Sequence, residues 1–489
     1  MDSRHILAAL AALAATPAAA QQAATTLDAV TTTATRTPRA AGDTAVPVTV
    51  VPREEIERRD ARSVLELIED IPGVESSGVP RTSALQPVIR GLGEDRIVLR
   101  LDGARSNFNA GHRGRTFIDP ELLRSVEVLR GPGSTLYGSG ALGGVIALRT
   151  ITVDDILRPG AAFGGFASAG WQSQGSGPRG ALALGARGGD FNVLGAVTGF
   201  TNNNFTDGRG TTIPFTGDNA NSILARFGWT PGHHRFELTA LRFRNDHQLP
   251  IAANTATTTG IADRDTTQET FSFRWAYADP AQPLLAPQVV LYRNHVDLQE
   301  RRIAGTRVTD RTQLTTTGLD AQNTSRFSLG AFGRHALTFG TELYRDEQEG
   351  TSNGLPRAQF PSAQQTVLGL FVQDEISLGA LTLTPGLRLD RFDQESPDGR
   401  NDREASRLSP RVSLAWQATP WLQPYVSYAE GFRAPSISEL FQGVSDSFSP
   451  IVDPCSNTFG GGLDPVNAGT PRFLTPEQRA RCVAQGVPQ

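Results

Sequence analysis

Beyond its first twenty residues the chain has no continuous apolar run near the roughly 18 positions that a membrane-crossing helix needs, and its mean hydropathy is −0.26. Helices therefore do not carry it across a bilayer. There is no basic excess either: 46 Lys and Arg stand against 50 Asp and Glu, a formal net charge of −4. Without a basic face, no nucleic-acid partner is supported. Cysteine is nearly absent, at 2 of 489 residues. Cys455 and Cys482 lack the close paired ligands of a zinc site, so no metal is expected to be held by the protein alone. Ser, His and Asp occur without a glycine-flanked nucleophile between a strand and a helix, and no tight His or Cys set would hold a catalytic metal. The sequence does not read as an enzyme.

What is present is glycine and proline, 50 and 31 residues, with a hydrophobic content of 38%. That suits either a large soluble β-protein or a β-barrel whose apolar face is diluted by alternation. Residues 1–20 carry Arg4 and His5, an apolar stretch over 6–15, and Ala18-Ala19-Ala20 before Gln21, the pattern of a secretory signal peptide cut after Ala20. In an exported chain Cys455 and Cys482 are expected to form one disulfide stapling a surface loop, two buried thiols being the alternative.

Residues 21–45 are rich in Ala and Thr and have little apolar surface to pack, so they read as a mobile linker. Residues 46–152 read as a compact α+β unit. A strand over 46–51 leads to Pro52 with Glu54 and Glu55 behind it, a helix start with acids near its positive end. A second helix begins near Ser63, with Leu65, Ile68 and Ile71 on one face, and Pro72-Gly73 ends it. Short strands follow over 88–91 and 96–103. From residue 153 to 489 alternating runs recur between turn signals. Phe271, Phe273, Trp275 and Tyr277 share one face, and Leu381, Leu383, Leu387 and Leu389 oppose Thr382, Thr384, Arg388 and Asp390. About 13 such strands are too many for one common sandwich, and they argue an antiparallel transmembrane β-barrel.

The densest signal is residues 126–150, VEVLRGPGSTLYGSGALGGVIALRT. Val126, Val128 and Leu129 form one strand-like run and Val145, Ile146 and Leu148 another, with glycines between them that permit backbone rearrangement. By itself this is a hairpin in some α/β domain. It also closely resembles the plug domain of TonB-dependent outer-membrane receptors, through Arg90-Gly91, Arg130-Gly131-Pro132, Tyr137-Gly138, Gly140 and Gly143-Gly144. The resemblance implies a plug inside a barrel of about 22 strands, in the outer membrane of a Gram-negative bacterium. This chain, ending at Gln489 in what is expected to be an extracellular loop, would then supply about 13 of those strands with two unpaired edges, either as a fragment of a longer gene or as a product that cannot close alone. The resemblance also implies a TonB box at Leu27-Asp28-Ala29-Val30-Thr31, which pairs as a strand with the periplasmic TonB complex. Arg90 and Arg130, polar among apolar neighbours, are expected to pair with the barrel wall.

Residues 109–120 form a polar loop in which His112 lies between glycine and Arg113. A loop imidazole of this kind either is solvated or can ligate iron axially. The run from Gly111 to Thr150 resembles the haem and haemoglobin receptors of the same family, which implies His112 as a haem ligand and haem, free or from haemoglobin, as the transported ligand. Phe432-Arg433-Ala434-Pro435 matches the barrel box that precedes the second histidine ligand in those receptors. The box that follows it is missing here, as is any histidine after His335. His247 and His295 are weaker candidates for the outer vestibule. A ferric-siderophore receptor is the nearest alternative, and a soluble or surface β-rich binding or structural protein is the alternative of another class.

Overall fold

The computed structural model describes residues 29–77, 81, 84–111, 113–251, 260–304, 307–357, 359–397, 399 and 402–441. Position 112, the segment 1–28 with Leu27 and Asp28, and both cysteines lie outside the described residues.

The N-terminal α+β unit is built on a sheet that pairs Val48–Pro52 with Leu123–Arg130, that strand with Gly144–Thr150, and the latter in parallel with Ile97–Leu101. The expected strands of the glycine-rich stretch are thus neighbours, with Val128 opposite Ile146. Helix Arg53–Arg59 starts behind Pro52 with Glu54 and Glu55 in its first turn. Helix Val64–Ile68 is capped by Ser63, whose side chain accepts from the Glu66 amide at 3.3 Å. Leu65, Ile68 and Ile71 are buried together with Val126, Val128 and Ile146. The alternation of apolar residues in both helices and strands therefore closes on one core.

From Phe163 onward the chain forms an antiparallel sheet whose main path runs in sequence order through 13 strands, from Phe163–Gln172 to Tyr425–Ala429. Tight turns at 189–190, 230–233, 329–333 and 379–380 mark one rim, and the connection 203–217 extends from the other. Such asymmetry identifies the tight-turn rim as the periplasmic one. Side chains obey period two, but with the usual polarity inverted. Phe271, Leu387 and Leu389 point outward and stay exposed, whereas Thr384, Arg388 and Asp390 are buried against the inner unit. An outward apolar face is stable where lipid replaces water, and the charged inner face is stable only where another surface answers it.

Two expectations are corrected here. Residues 29–40 do not form a mobile linker: Val30 and Thr31 pair with Ala40 and Arg39, and Thr31, Thr33, Thr35 and Arg36 are buried. The segment lacks apolar surface, yet polar partners in the α+β unit and the wall satisfy it. His295 does not line the interior: it alternates with inward Asn294 and Val296, shares the outward face with Leu291 and Arg293, and bonds Thr315 at 2.9 Å. His247 does point inward, beside Asn245 and Leu249 near the rim of long connections, with Nδ1 3.7 Å from the Asp218 carboxylate.

Candidate functional site

The glycine-rich stretch is not a loose hinge; it is the point at which four separate parts of the chain meet. Between its two strands it forms the short buried helix Ser134–Tyr137. Arg36 donates through Nε to the Leu136 carbonyl at 3.0 Å, and Tyr137 Oη donates to the Thr33 carbonyl at 3.0 Å. Arg105 donates to the carbonyls of Tyr137 and Ser139. Thr135 Oγ1 donates to the Ser409 carbonyl of the wall at 3.2 Å. Gly138 adopts φ +65°, and a Cβ there would lie 2.6 Å from Arg388 Nη2, so both backbone and space require glycine.

The fourth part is the box at 432–435. The Phe432 amide donates to Ser134 Oγ at 2.9 Å, its carbonyl accepts from the Gly140 amide at 2.9 Å, and the Ala434 amide donates to Ser139 Oγ at 2.9 Å. Arg433 makes a bidentate pair with Glu439, at 2.5 and 2.9 Å. These contacts give the box a role in docking the wall onto the inner unit.

Around this helix runs a buried chain of charges. Arg36 binds Asp320 through both carboxylate oxygens at 2.7 and 2.8 Å, and Arg100 reaches the same carboxylate at 2.6 Å. Glu342, fully buried, accepts from Arg105 at 2.9 Å and Arg388 at 3.0 Å, with Arg100 at 3.4 Å. Nearer the long-connection rim, Glu300 is held by Arg113 at 2.5 Å and Arg264 at 2.6 Å. Each cluster joins arginines of residues 36–113 to acids of the wall strands Gln288–Arg302, Thr309–Ser328 and Arg334–Ser352. Bidentate guanidinium–carboxylate geometry makes these contacts directional as well as attractive.

The expected partners Arg90 and Arg130 are not part of this chain of charges. Arg90 is exposed in a turn at φ 52°, and Arg130 donates to the Pro72 carbonyl at 2.8 Å and to Thr49 Oγ1 at 3.2 Å, both within the inner unit. Arg100 in the apolar run Ile97–Leu101, and the inward positions of Asp320 and Glu342, were the signals available in the sequence; they name charged residues without naming their partners.

The N-terminal segment has an anion of its own. Glu127 accepts from Thr31 Oγ1 at 2.6 Å, from the Thr32 and Thr33 amides at 2.9 Å each, and from Arg149 Nε at 2.8 Å. Burial works against its charged form, but the Arg149 guanidinium and the hydrogen bonds from Thr31, Arg149 and the Thr33 amide outweigh it, and the carboxyl is held below its ordinary value of 4.5. A carboxyl lowered in this way contributes its full hold above its ordinary value and loses it as pH falls through the lower folded value. A nitroxide at position 29 is therefore expected to be immobile at neutral pH and to become mobile in acid. In Glu127→Gln it should be mobile already at neutral pH, with the docked population reduced about ten-fold. A label that stays immobile in that variant removes Glu127 from this role.

Toward the opposite rim a cavity of about 300 Å³ is lined by Asn107, Asn109, Gly111 and Arg115 of the inner unit and by Tyr344 and Asp346 of the wall. The loop beneath it is anchored rather than free. Phe117 packs on Phe108 and Phe243, with ring centroids 5.9 and 6.0 Å apart, and the Asp119 side chain accepts from the Glu121 amide at 2.9 Å to start the turn Pro120–Leu122. Gln86 donates to the carbonyls of Gly111 and Arg113, the residues flanking position 112.

A family model for the TonB-dependent receptor plug domain matches residues 40–145, and one for the TonB-dependent receptor-like β-barrel matches residues 105–478. The chain belongs to the TonB-dependent receptors. The inner unit is the plug and the wall is barrel, and members of this family are receptors and transporters of the Gram-negative outer membrane. Among curated relatives, a hemin receptor of Yersinia pestis is 29% identical over 87% of this chain and 63% of its own length, and that of Yersinia enterocolitica is 30% identical over 85% and 60%. The heme/hemopexin utilization protein C of Haemophilus influenzae is 30% identical over 82% and 62%. Among solved structures, the hemophore receptor HasR of Serratia marcescens, in complex with its hemophore HasA and heme, is 26% identical with a TM-score of 0.72, covering 81% of this chain and 65% of that one. The chain thus spans about three fifths of the length of the relatives it matches.

Proposed function

We propose that this receptor imports haem, free or taken from haemoglobin, across the outer membrane into the periplasm, with the TonB complex as its energy source. The observation that carries the reading is the 29–30% identity, over more than four fifths of this chain, with relatives named as hemin receptors. The cavity beside Gly111 supports it. Gly111 and Arg113 are anchored by Gln86 toward the outer rim, and His112 between them in sequence is the proposed ligand for cargo arriving from outside. Haem is the cargo and not a resident group, so the protein supplies an axial nitrogen, an apolar and polar lining, and a route. The segment 27–31 is the proposed strand for the TonB complex, and residues 31–39 that follow it reach Asp320 and the helix Ser134–Tyr137 on the side of the other rim. Pulling on that segment acts on the same plug element on which the barrel box docks.

Titrating the detergent-purified receptor with haem is expected to shift the Soret band, and His112→Ala should weaken binding by at least about ten-fold. Growth on haem as sole iron source should fall with it. Unaltered haem binding in that variant removes His112 as a ligand, and uptake of a ferric siderophore indifferent to His112 replaces the haem reading with the siderophore one.

A further inference from the structure

On the periplasmic side, between plug and barrel, lies a second cavity, of about 340 Å³. It is distinct from the outer one: its walls come from plug strands Ile97–Leu101 and Gly144–Thr150 and from the tight-turn ends of the barrel strands, and its cover is Thr32, Thr33, Arg36 and Pro38 of the N-terminal segment. Its lining is dominated by guanidinium groups. Arg226, Arg235 and Arg274 converge on the single carboxylate of Glu237, at 3.7, 2.9 and 3.9 Å. Arg226 also holds Asp102 at 2.8 Å, yet its buried Nε has no hydrogen-bond partner among the described residues. Arg274 also donates to a backbone oxygen, that of Asp102, at 3.0 Å. Arg36 and Arg100 share Asp320, and Arg149 holds Glu127.

This is an unusual place for so many cations. Among the described residues, seven arginines line this space against three acids, Asp102, Glu237 and Asp320, and the half-exposed Arg235 and the unused Nε of Arg226 leave hydrogen-bonding capacity facing it. Guanidinium forks are matched to carboxylates. We propose that this chamber is an inner binding site for the carboxylate groups of the cargo, occupied after the cargo has passed the plug and before the N-terminal segment is withdrawn to open it to the periplasm. The proposal rests on the haem reading, since haem carries two carboxylates on an otherwise apolar ring. Arg274 and Arg235 are the contacting residues, and Arg226 supplies the remaining donor.

The test compares uptake of haem with uptake of the same porphyrin iron complex with both carboxylates methylated, in cells carrying wild type, Arg274→Gln or Arg235→Gln. Arg235 is half exposed and, among the described residues, its carboxylate partner is Glu237 of the wall, so its replacement spares plug seating. Haem uptake is expected to drop about ten-fold in each variant, while binding at the outer surface, read by the Soret band, stays as in wild type and uptake of the methylated compound is unchanged. Equal loss for both compounds, or no loss for haem, overturns the inner site while leaving the haem reading intact. A wild-type receptor that neither binds nor imports haem overturns the haem reading, and the inner site with it.

Discussion

Glu342→Ala is expected to loosen the plug more than any other single change at the interface. The carboxylate is fully buried and faces Arg105, Arg388 and Arg100, so its removal leaves three guanidinium groups in a closed space with Asp320 and Asp390 as the nearby anions. Breaking a buried pair from one side costs about 3–5 kcal/mol, because the surviving charge is neither solvated nor paired. Arg105 would also lose the anchor that lets it bind the carbonyls of Tyr137 and Ser139, and the short plug helix would lose one of its fixed sides. The measurements are thermal unfolding of the purified receptor in detergent and entry of large antibiotics into cells expressing it. Glu342→Gln, which keeps shape and part of the hydrogen bonding, should lie between the alanine variant and wild type. Melting within about one degree of wild type, with no added permeability, would mean that the ion cluster does not seat the plug.

The second large effect is expected at Asp320. Its carboxylate is shared by Arg36 of the N-terminal segment and Arg100 of the plug, and Gln322 on the same strand donates to the Arg36 carbonyl at 2.9 Å. Asp320→Ala should release the segment, shifting its docked population by about 100-fold if the two charge-assisted bonds of Arg36 are lost together. Limited proteolysis within residues 29–40 reads that shift, as does an increase in the mobility of the nitroxide at position 29. Arg36→Ala should reproduce the release without stranding a cation, and the double variant should be little worse than either alone, since both remove one interaction. Independent, additive effects of the two substitutions would show that Arg36 is not held through Asp320. Because Arg100 bridges Asp320 and Glu342, changes at the two acids are expected to be non-additive.

Much of the architecture follows from local patterns. Period-two alternation marks the barrel strands because a wall with lipid on one side and a plug on the other forces neighbouring side chains into opposite environments. The turn at Ser63 and the apolar positions Leu65, Ile68 and Ile71 mark a plug helix for the same kind of reason, since a helix must bury one stripe. The charged interface was not open to such a reading. Arg36 and Asp320 are 284 positions apart, and Arg105 and Glu342 are 237 apart, so no local spacing couples them. Arg130 shows the corresponding error: a charge at the end of an apolar strand looks like a partner for the wall, but the strand's position in the plug directs it to Pro72 and Thr49.

The sequence by itself determined the family and the division into a small α+β unit and a long run of alternating strands, because each depends on residue type and short-range period. Only the tertiary structure decided which charges are neutralised, that residues 29–40 pack inside rather than hang free, that His247 points inward while His295 faces out, and that the glycine-rich stretch is a buried junction. Those outcomes depend on where two distant surfaces meet. A buried charge is tolerable only opposite its partner, and a polar segment is held only where donors and acceptors await it.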